Sequence, residues 1–344
     1  MNALYSLFFV FALVLIPLIG VGAAKLNVFF GICIPSTALL VFLAGFVCKV
    51  YGWAKRPVPF RIPTTGGQQE PYDPTLFKQN KWDNPSTGPQ TFMRMLLEVL
   101  CFRSLFRNTA VKLDVKNNVV AYASSKWLWL FAIFFHYSFF IIVARHMRLF
   151  LASVPLPIEW LEFGDGIMQI GIPRMYMSDV LILAGLFFLL ARRLADPKIR
   201  YISLVNDFFP LFLLLGISLS GIYMRYFAKV DVVAIKELVV SALQFNYKIP
   251  AGIDNSFYVH LFLVSVLLAY FPFSKLMHAG GVFLSPTRNL PNDTRMKHHE
   301  NPWNDKGIMP HSYEHYEDDF REPMYEAGLP LEKLPEGAEE EAKA

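Results

Sequence analysis

A chain of 344 residues that is 54% hydrophobic and only 17% charged, with 32 phenylalanines, is too apolar for an ordinary soluble or disordered protein and reads as a helical membrane protein. Its net charge of +4 is distributed between the apolar runs and forms no single basic patch, which excludes a nucleic-acid footprint. The three cysteines, Cys33, Cys48 and Cys101, have no Cys-x-x-Cys spacing, and an iron–sulfur cluster needs about four thiolates, so any cluster belongs to a partner.

Residues 4–23 form an unbroken apolar run with no basic stretch before it, which predicts a retained first membrane helix rather than a secretory leader. Residues 26–50 make a second span around Pro35, a residue that membrane helices tolerate where neighbours satisfy the freed carbonyl. From 51 to 126 the chain is polar and basic. Prolines and glycines between Pro57 and Pro74 predict a loop in its first half, and 92–106 has the spacing of an amphipathic helix on a membrane surface or a partner. Residues 127–151 are the third span, and 155–174 carries Glu159, Glu162 and Asp165 against a single arginine. A short fourth span at 177–190 and a fifth at 208–227 follow, then a surface helix within 231–247. The sixth span is 256–278, with Pro272 as its kink.

The tail, 279–344, is polar, proline-punctuated and acidic at its end, too poor in apolar residues for a core of its own. It reads as a docking strand for a cytoplasmic partner, with His311 and His315 in solvent. Basic residues concentrate after the second, fourth and sixth spans, which puts those loops and both termini in the cytoplasm. The expected fold is therefore an all-α integral membrane protein of six transmembrane helices with a cytoplasmic C-terminal tail. Its divisions are two N-terminal helices (1–50), a basic cytoplasmic loop (51–126), a four-helix core (127–278) and the tail (279–344).

The chemistry concentrates in four histidines inside apolar runs: His136 and His146 in the third span, His260 and His278 in the sixth. An ionisable side chain within a membrane helix is costly and marks a functional site by default. Ligation of haem iron satisfies an imidazole there; a hydrogen bond to a backbone carbonyl is the bland alternative, and four such residues on two helices weigh against it. The third span runs outward and the sixth inward, so antiparallel pairing sets His136 with His278 and His146 with His260. The spacing fits incompletely: eighteen residues rise roughly 27 Å along a straight helix, whereas ten rise about 15 Å and turn the two ligands some 80° apart. Helix tilt, ligand reach or the Phe271-Pro272-Phe273 kink must absorb the difference. Arg145 and Arg148 flank His146, and Arg225 ends the fifth span on the same side, where all three could pair with haem propionates or simply anchor helix ends.

A His-x9-His helix followed by a His-x17-His helix resembles the cytochrome b (gamma) subunit of respiratory nitrate reductases, over roughly residues 126–281. That resemblance implies two b-type haems with His136, His146, His260 and His278 as axial ligands. The extra N-terminal helix, the basic loop and the tail are closer to the DsrM-type membrane subunit of the sulfite-reduction-associated DsrMKJOP complex. This implies menaquinone as redox partner, a cytoplasmic iron–sulfur subunit similar to the catalytic subunit of heterodisulfide reductase, and further membrane and extracytoplasmic subunits. The expected role is an electron-transfer subunit of an oxidoreductase complex in dissimilatory sulfur metabolism, in a prokaryotic cytoplasmic membrane. Competing classes are a transporter that uses the histidines as a proton or ion relay and a structural anchor without haem.

Overall fold

The computed structural model describes residues 1–56, 80–114, 117–169, 171–246, 248–292 and 311–335. The chain forms two units, Met1–Asp293 and Thr294–Ala344. The expected loop between Pro57 and Pro74 lies outside the described residues.

The first unit is a helical assembly whose polar side chains are tied to backbone. Helix α1 (Asn2–Gly22) holds no charged residue. The Asn2 amide donates to the Ser203 carbonyl at 2.9 Å, and the buried Ser6 hydroxyl lies 2.9 Å from the Val205 carbonyl. Lipid offers no replacement partner for such groups, so these bonds fix α1 within the bundle. A π-helical segment, Phe29–Cys33, leads into α2 (Ile34–Ala54). It re-registers the hydrogen-bond ladder just where Pro35 has no N–H to give.

Next come α3 (Gly88–Cys101) and α4 (Arg103–Arg107). The expected single helix over 92–106 is interrupted at Phe102, which takes a left-handed conformation with φ 50°. A hairpin that the sequence reading did not anticipate follows: β1 (Thr109–Asp114) pairs antiparallel with β2 (Val119–Ser124), with Thr109 opposite Ser124. Asn118, at φ 52°, turns the chain between them.

The remaining helices of this unit are α5 (Lys126–His146), α6 (Leu156–Ile167), α7 (Met177–Ala195), α8 (Pro197–Ile202), α9 (Val205–Ile222), α10 (Val232–Leu243), α11 (Asn255–Tyr270), α12 (His278–Gly281) and α13 (Pro286–Asn289). A second π segment, Tyr223–Ala228, extends α9. Helix α1 packs on α9 and α11, α2 on α11, and α7 lies between α5 and α9. Helix α10 is more than a surface helix. Capped by the Asp231 carboxylate, it inserts Ile235 and Leu238 into a core with Phe30, Phe257, Tyr258 and Phe262.

Among the described residues, five segments are long and apolar enough to cross a membrane: Asn2–Gly22, Phe29–Ala54, Lys126–Leu149, Val205–Ala228 and Asn255–Phe273. The protein is accordingly a multi-pass membrane protein. Helix α7, the expected fourth span, is 19 residues long but carries Asp179 at its start and Arg192 and Arg193 at its end, which sets it apart from those five. The expected sixth span is shorter than read: it stops at Phe273 and does not reach His278.

In the second unit the expected docking strand is instead a helix, α14 (Tyr313–Glu326). Ser312 caps it, accepting from the His315 N–H at 3.3 Å, and Glu314 lies in its positive first turn. Buried Glu317 accepts the N–H groups of Glu332 and Lys333 at 2.8 and 2.9 Å, which holds the turn that follows. His311 and His315 are exposed.

Helices α5 and α7 approach each other closely at Gly185 of α7. A Cβ there would lie 2.9 Å from the Phe135 backbone nitrogen and 3.0 Å from the Phe131 carbonyl oxygen of α5. Gly185→Ala must separate the two helices, at a cost of about 1–3 kcal/mol. Thermal unfolding of the purified protein in detergent should show a lowered midpoint for Gly185→Ala and little change for Gly52→Ala, where no atom lies within 4 Å.

Candidate cofactor site

One unbroken helix and a second that ends in a turn bring four histidines together by a matched rise. On α5, His136 and His146 are ten residues apart within one unbroken helix, about 15 Å along its axis. On α11, whose first turn is capped by Asp254, ten residues also separate His260 from the helix end at Tyr270. Beyond Tyr270 the chain leaves the helix axis. Phe271–Phe273 forms a 3-10 turn around Pro272, and Ser274 is extended at φ −118°, ψ 175°. A second 3-10 turn, Lys275–Met277, then delivers His278 at the head of α12. His260 and His278 therefore do not share one helical face. The last eight residues of the His-x17-His spacing are spent on a turn, which removes the 12 Å mismatch that two straight helices would have.

The structure brings His136 to His278 and His146 to His260. Ring centroids are 6.1 Å apart in the first pair and 6.3 Å in the second, with interplanar angles of 83° and 13°. A metal–imidazole bond is about 2 Å and a ring nitrogen lies about 1.1 Å from its ring centre, so two imidazoles across one metal ion have centroids roughly 6.2 Å apart.

Every Nδ1 atom is engaged by an oxygen. His136 Nδ1 lies 2.7 Å from the Ala132 carbonyl, His146 Nδ1 2.7 Å from that of Ile142, and His278 Nδ1 2.9 Å from that of Lys275. His260 Nδ1 lies 2.9 Å from the Ser220 hydroxyl, and that hydroxyl donates to the Ile217 carbonyl or to the ring. Among the described residues no group bonds any of the four Nε2 atoms. An oxygen partner at one imidazole nitrogen orients the ring and frees the other nitrogen for a metal. Gly221 lets α9 approach: a Cβ there would sit 3.2 Å from His260 Cε1. The rings of Phe102 and Phe135 stand edge-on to His136, with centroids 5.0 and 4.9 Å away.

Helices α5 and α11 are not a closely packed pair, and the histidine rings reach toward each other between them. Among the described residues no three His, Cys, Asp or Glu side chains converge to hold a metal ion unaided. Each pair can therefore supply two opposed ligands to a metal whose other donors come with it.

Next to the His146/His260 pair, the three arginines singled out in the sequence meet protein carboxylates. Arg145 pairs with Asp165 at 2.7 Å, their side chains 8% and 3% exposed, and Ser178 bonds both partners. Arg148 reaches both Glu162 oxygens, at 2.7 and 2.8 Å, and Arg225 lies 3.8 Å from the same carboxylate. Tyr176 sits between Arg145 and Arg225, whose guanidinium carbons are 4.1 and 4.3 Å from its ring centroid. The carboxylates come from α6, the acidic segment 155–174. The sequence reading registered both sets of charges and missed their pairing, because they join through the fold rather than through local spacing. It also missed Phe102, Ser220 and Gly221, whose roles depend on which helix lies opposite.

The chain belongs to the nitrate reductase gamma subunit family, whose pattern it matches over residues 94–292, a region that holds all four histidines and all three arginines. It is 46% identical over 285 residues to the Hdr-like menaquinol oxidoreductase cytochrome b-like subunit of Archaeoglobus fulgidus, covering 81% of this chain and 84% of that protein. To the protein of the same name from Archaeoglobus profundus it is 39% identical over 285 residues, covering 80% and 83%.

Breaking a buried ion pair from one side leaves an uncompensated charge, at a cost of about 3–5 kcal/mol. Asp165→Asn should therefore destabilise the protein strongly and Glu159→Gln hardly at all, read as detergent-solubilised thermal midpoints. Equal midpoints for the two variants would show that the Arg145–Asp165 pair does not hold this end of the bundle.

Proposed function

We propose that the chain is a membrane cytochrome b subunit that carries electrons between menaquinol and a cytoplasmic iron–sulfur subunit. One haem b is held by His136 and His278 and a second by His146 and His260. The observation that carries this reading is the geometry of the two pairs: ring spacings of 6.1 and 6.3 Å, with all four Nδ1 atoms engaged and all four Nε2 atoms unbonded among the described residues. Two opposed imidazoles are too few for a metal site made by protein alone, and they suit a macrocycle that brings four equatorial nitrogens. Bound there, haem b supplies reversible one-electron storage at its iron.

The chain's own groups then have defined tasks. The carbonyls of Ala132, Ile142 and Lys275 fix the tautomer and rotation of His136, His146 and His278, and the hydroxyl of Ser220 fixes the rotation of His260. Arg145 is committed to Asp165, whereas Arg148 and Arg225, each 40% exposed and sharing Glu162, are the arginines placed to meet a propionate.

The relatives' description as menaquinol oxidoreductase subunits of Hdr-like type supports menaquinone as the redox substrate and a partner resembling the heterodisulfide reductase catalytic subunit. With α7 as a sixth crossing, the basic loops fall on one side, which makes that side and both termini cytoplasmic in a prokaryotic cell membrane. Further membrane and extracytoplasmic subunits complete the complex. Its assignment to dissimilatory sulfur metabolism rests on the resemblance of the loop, tail and extra helix alone.

Reduced-minus-oxidised spectra of single histidine variants test this reading. His136→Ala and His278→Ala should lose the same half of the b-type absorbance, and His146→Ala and His260→Ala the other half. A soluble menaquinol analogue should reduce the wild-type bands. A wild-type spectrum without b-type absorbance, or four variants that all keep it in full, would favour the anchor or relay reading instead.

A further inference from the structure

Among the described residues of the first unit, one charged side chain is buried and has no partner. Arg94 of α3 is 9% exposed, donates no hydrogen bond to any described residue, and its Nε is fully enclosed. The nearest charges are the acids Glu98 and Asp83 and the bases Arg288 and Arg103, and none forms an ion pair with it. Both acids are committed elsewhere. Asp83 bonds Arg103 and Arg107, and Glu98 accepts the backbone N–H of Ser104 at 3.1 Å and its hydroxyl as well. Among the described residues, four guanidinium groups here face two carboxylates. A buried cation without a counter-charge is costly, and its most direct remedy is an anion from outside the chain.

The fold ties this spot to the His136/His278 pair from two directions. At its far end, α3 gives the Leu100 and Cys101 carbonyls to Tyr137 Oη and Trp129 Nε1 of α5, both at 2.8 Å, and the next residue, Phe102, stands against His136. From the other ligand, α12 begins at His278 and leads to α13, which packs on α3 and carries Arg288. The Asn292 N–H donates to the Pro85 carbonyl at 2.6 Å and fastens the end of this arm beside α3. Each ligand of this pair is thus followed or preceded by an arm that brings one arginine to the same place.

We propose that Arg94, with Arg288 beside it, is an oxyanion-binding site adjoining the His136/His278 pair. Its ligand is a carboxylate or phosphate group, chemistry shared by a propionate of the haem held there and by the headgroup of an anionic membrane lipid. A planar guanidinium presents five donors in a fork that suits either group. The propionate source rests on the two-haem reading given above; the phosphate source does not.

The test uses the full-length chain purified in mild detergent, as wild type, Arg94→Gln, Arg94→Lys and Arg288→Gln. Two quantities are read: the midpoint potential of each haem by optical redox titration, and bound phospholipid phosphorus per chain. The haem concerned is identified as the one lost in His136→Ala. If a propionate is the ligand, Arg94→Gln lowers the midpoint potential of that haem alone, because loss of a nearby positive charge favours ferric iron. Arg94→Lys then recovers much of the shift and Arg288→Gln shows a smaller one. If a lipid phosphate is the ligand, Arg94→Gln instead loses tightly bound phosphorus with both potentials unchanged. Two haems with unchanged potentials and unchanged phosphorus in a folded Arg94→Gln protein would overturn the proposal; should that variant not fold, the same outcome in Arg288→Gln would do so. A wild type without haem would instead sink the two-haem reading, and phosphorus retention alone would then decide the arginine site.

Discussion

Two histidine pairs strung between the same two chain segments impose one geometric condition: the rings must stand at equal separations on both sides. Helix α5 sets that separation with ten residues of unbroken helix between His136 and His146. The opposing segment has eighteen residues to place and meets the condition by ending its helix at Tyr270, ten residues beyond His260, and turning the remainder aside through Pro272 and Ser274. Much of the first unit serves this constraint. Proline stops the ladder where the rise is complete, Gly221 admits the His260 ring beside α9, and the Nδ1 bonds set ring orientation.

The two ends of the site handle charge in different ways. Near His146, each of the three arginines meets a carboxylate of α6, Arg145 on Asp165 and Arg148 and Arg225 sharing Glu162, with Tyr176 against two of them, which leaves one positive charge in excess. On the arms that lead to His136 and His278, Asp83 and Glu98 are already used, and among the described residues Arg94 stays buried without a counter-ion. The contrast has physical content. An arginine paired with a carboxylate supports the fold, whereas a buried cation without one is costly, and that cost is the ground for assigning an outside anion to Arg94.

Much of this was legible in the sequence because lipid narrows the choices. Uninterrupted apolar runs gave five of the spans to within a few residues, apart from the end of the last, since a backbone in a bilayer must be helical or form a closed barrel. The histidines stood out as ionisable groups in such runs, and which rings lie together follows from the opposite directions of α5 and α11. What was not legible depended on distant contacts. The break at Phe102 and the Asn118 hairpin were submerged in a stretch read as loop and amphipathic helix. The acids of α6 and the arginines of α5 and α9 were each visible, but their partnership exists only once Tyr176 and Ser178 are in place. The turn after Tyr270 was anticipated as a kink; that it removes His278 from the helix altogether needed the backbone itself.

The measurement that bears most directly on the two paired histidine sites is haem stoichiometry. Pyridine haemochrome analysis of the purified full-length chain, set against its protein concentration, should give two haem b per chain. A ratio of one would mean that one of the two pairs does not bind haem, and a ratio of zero would contradict the cytochrome reading outright.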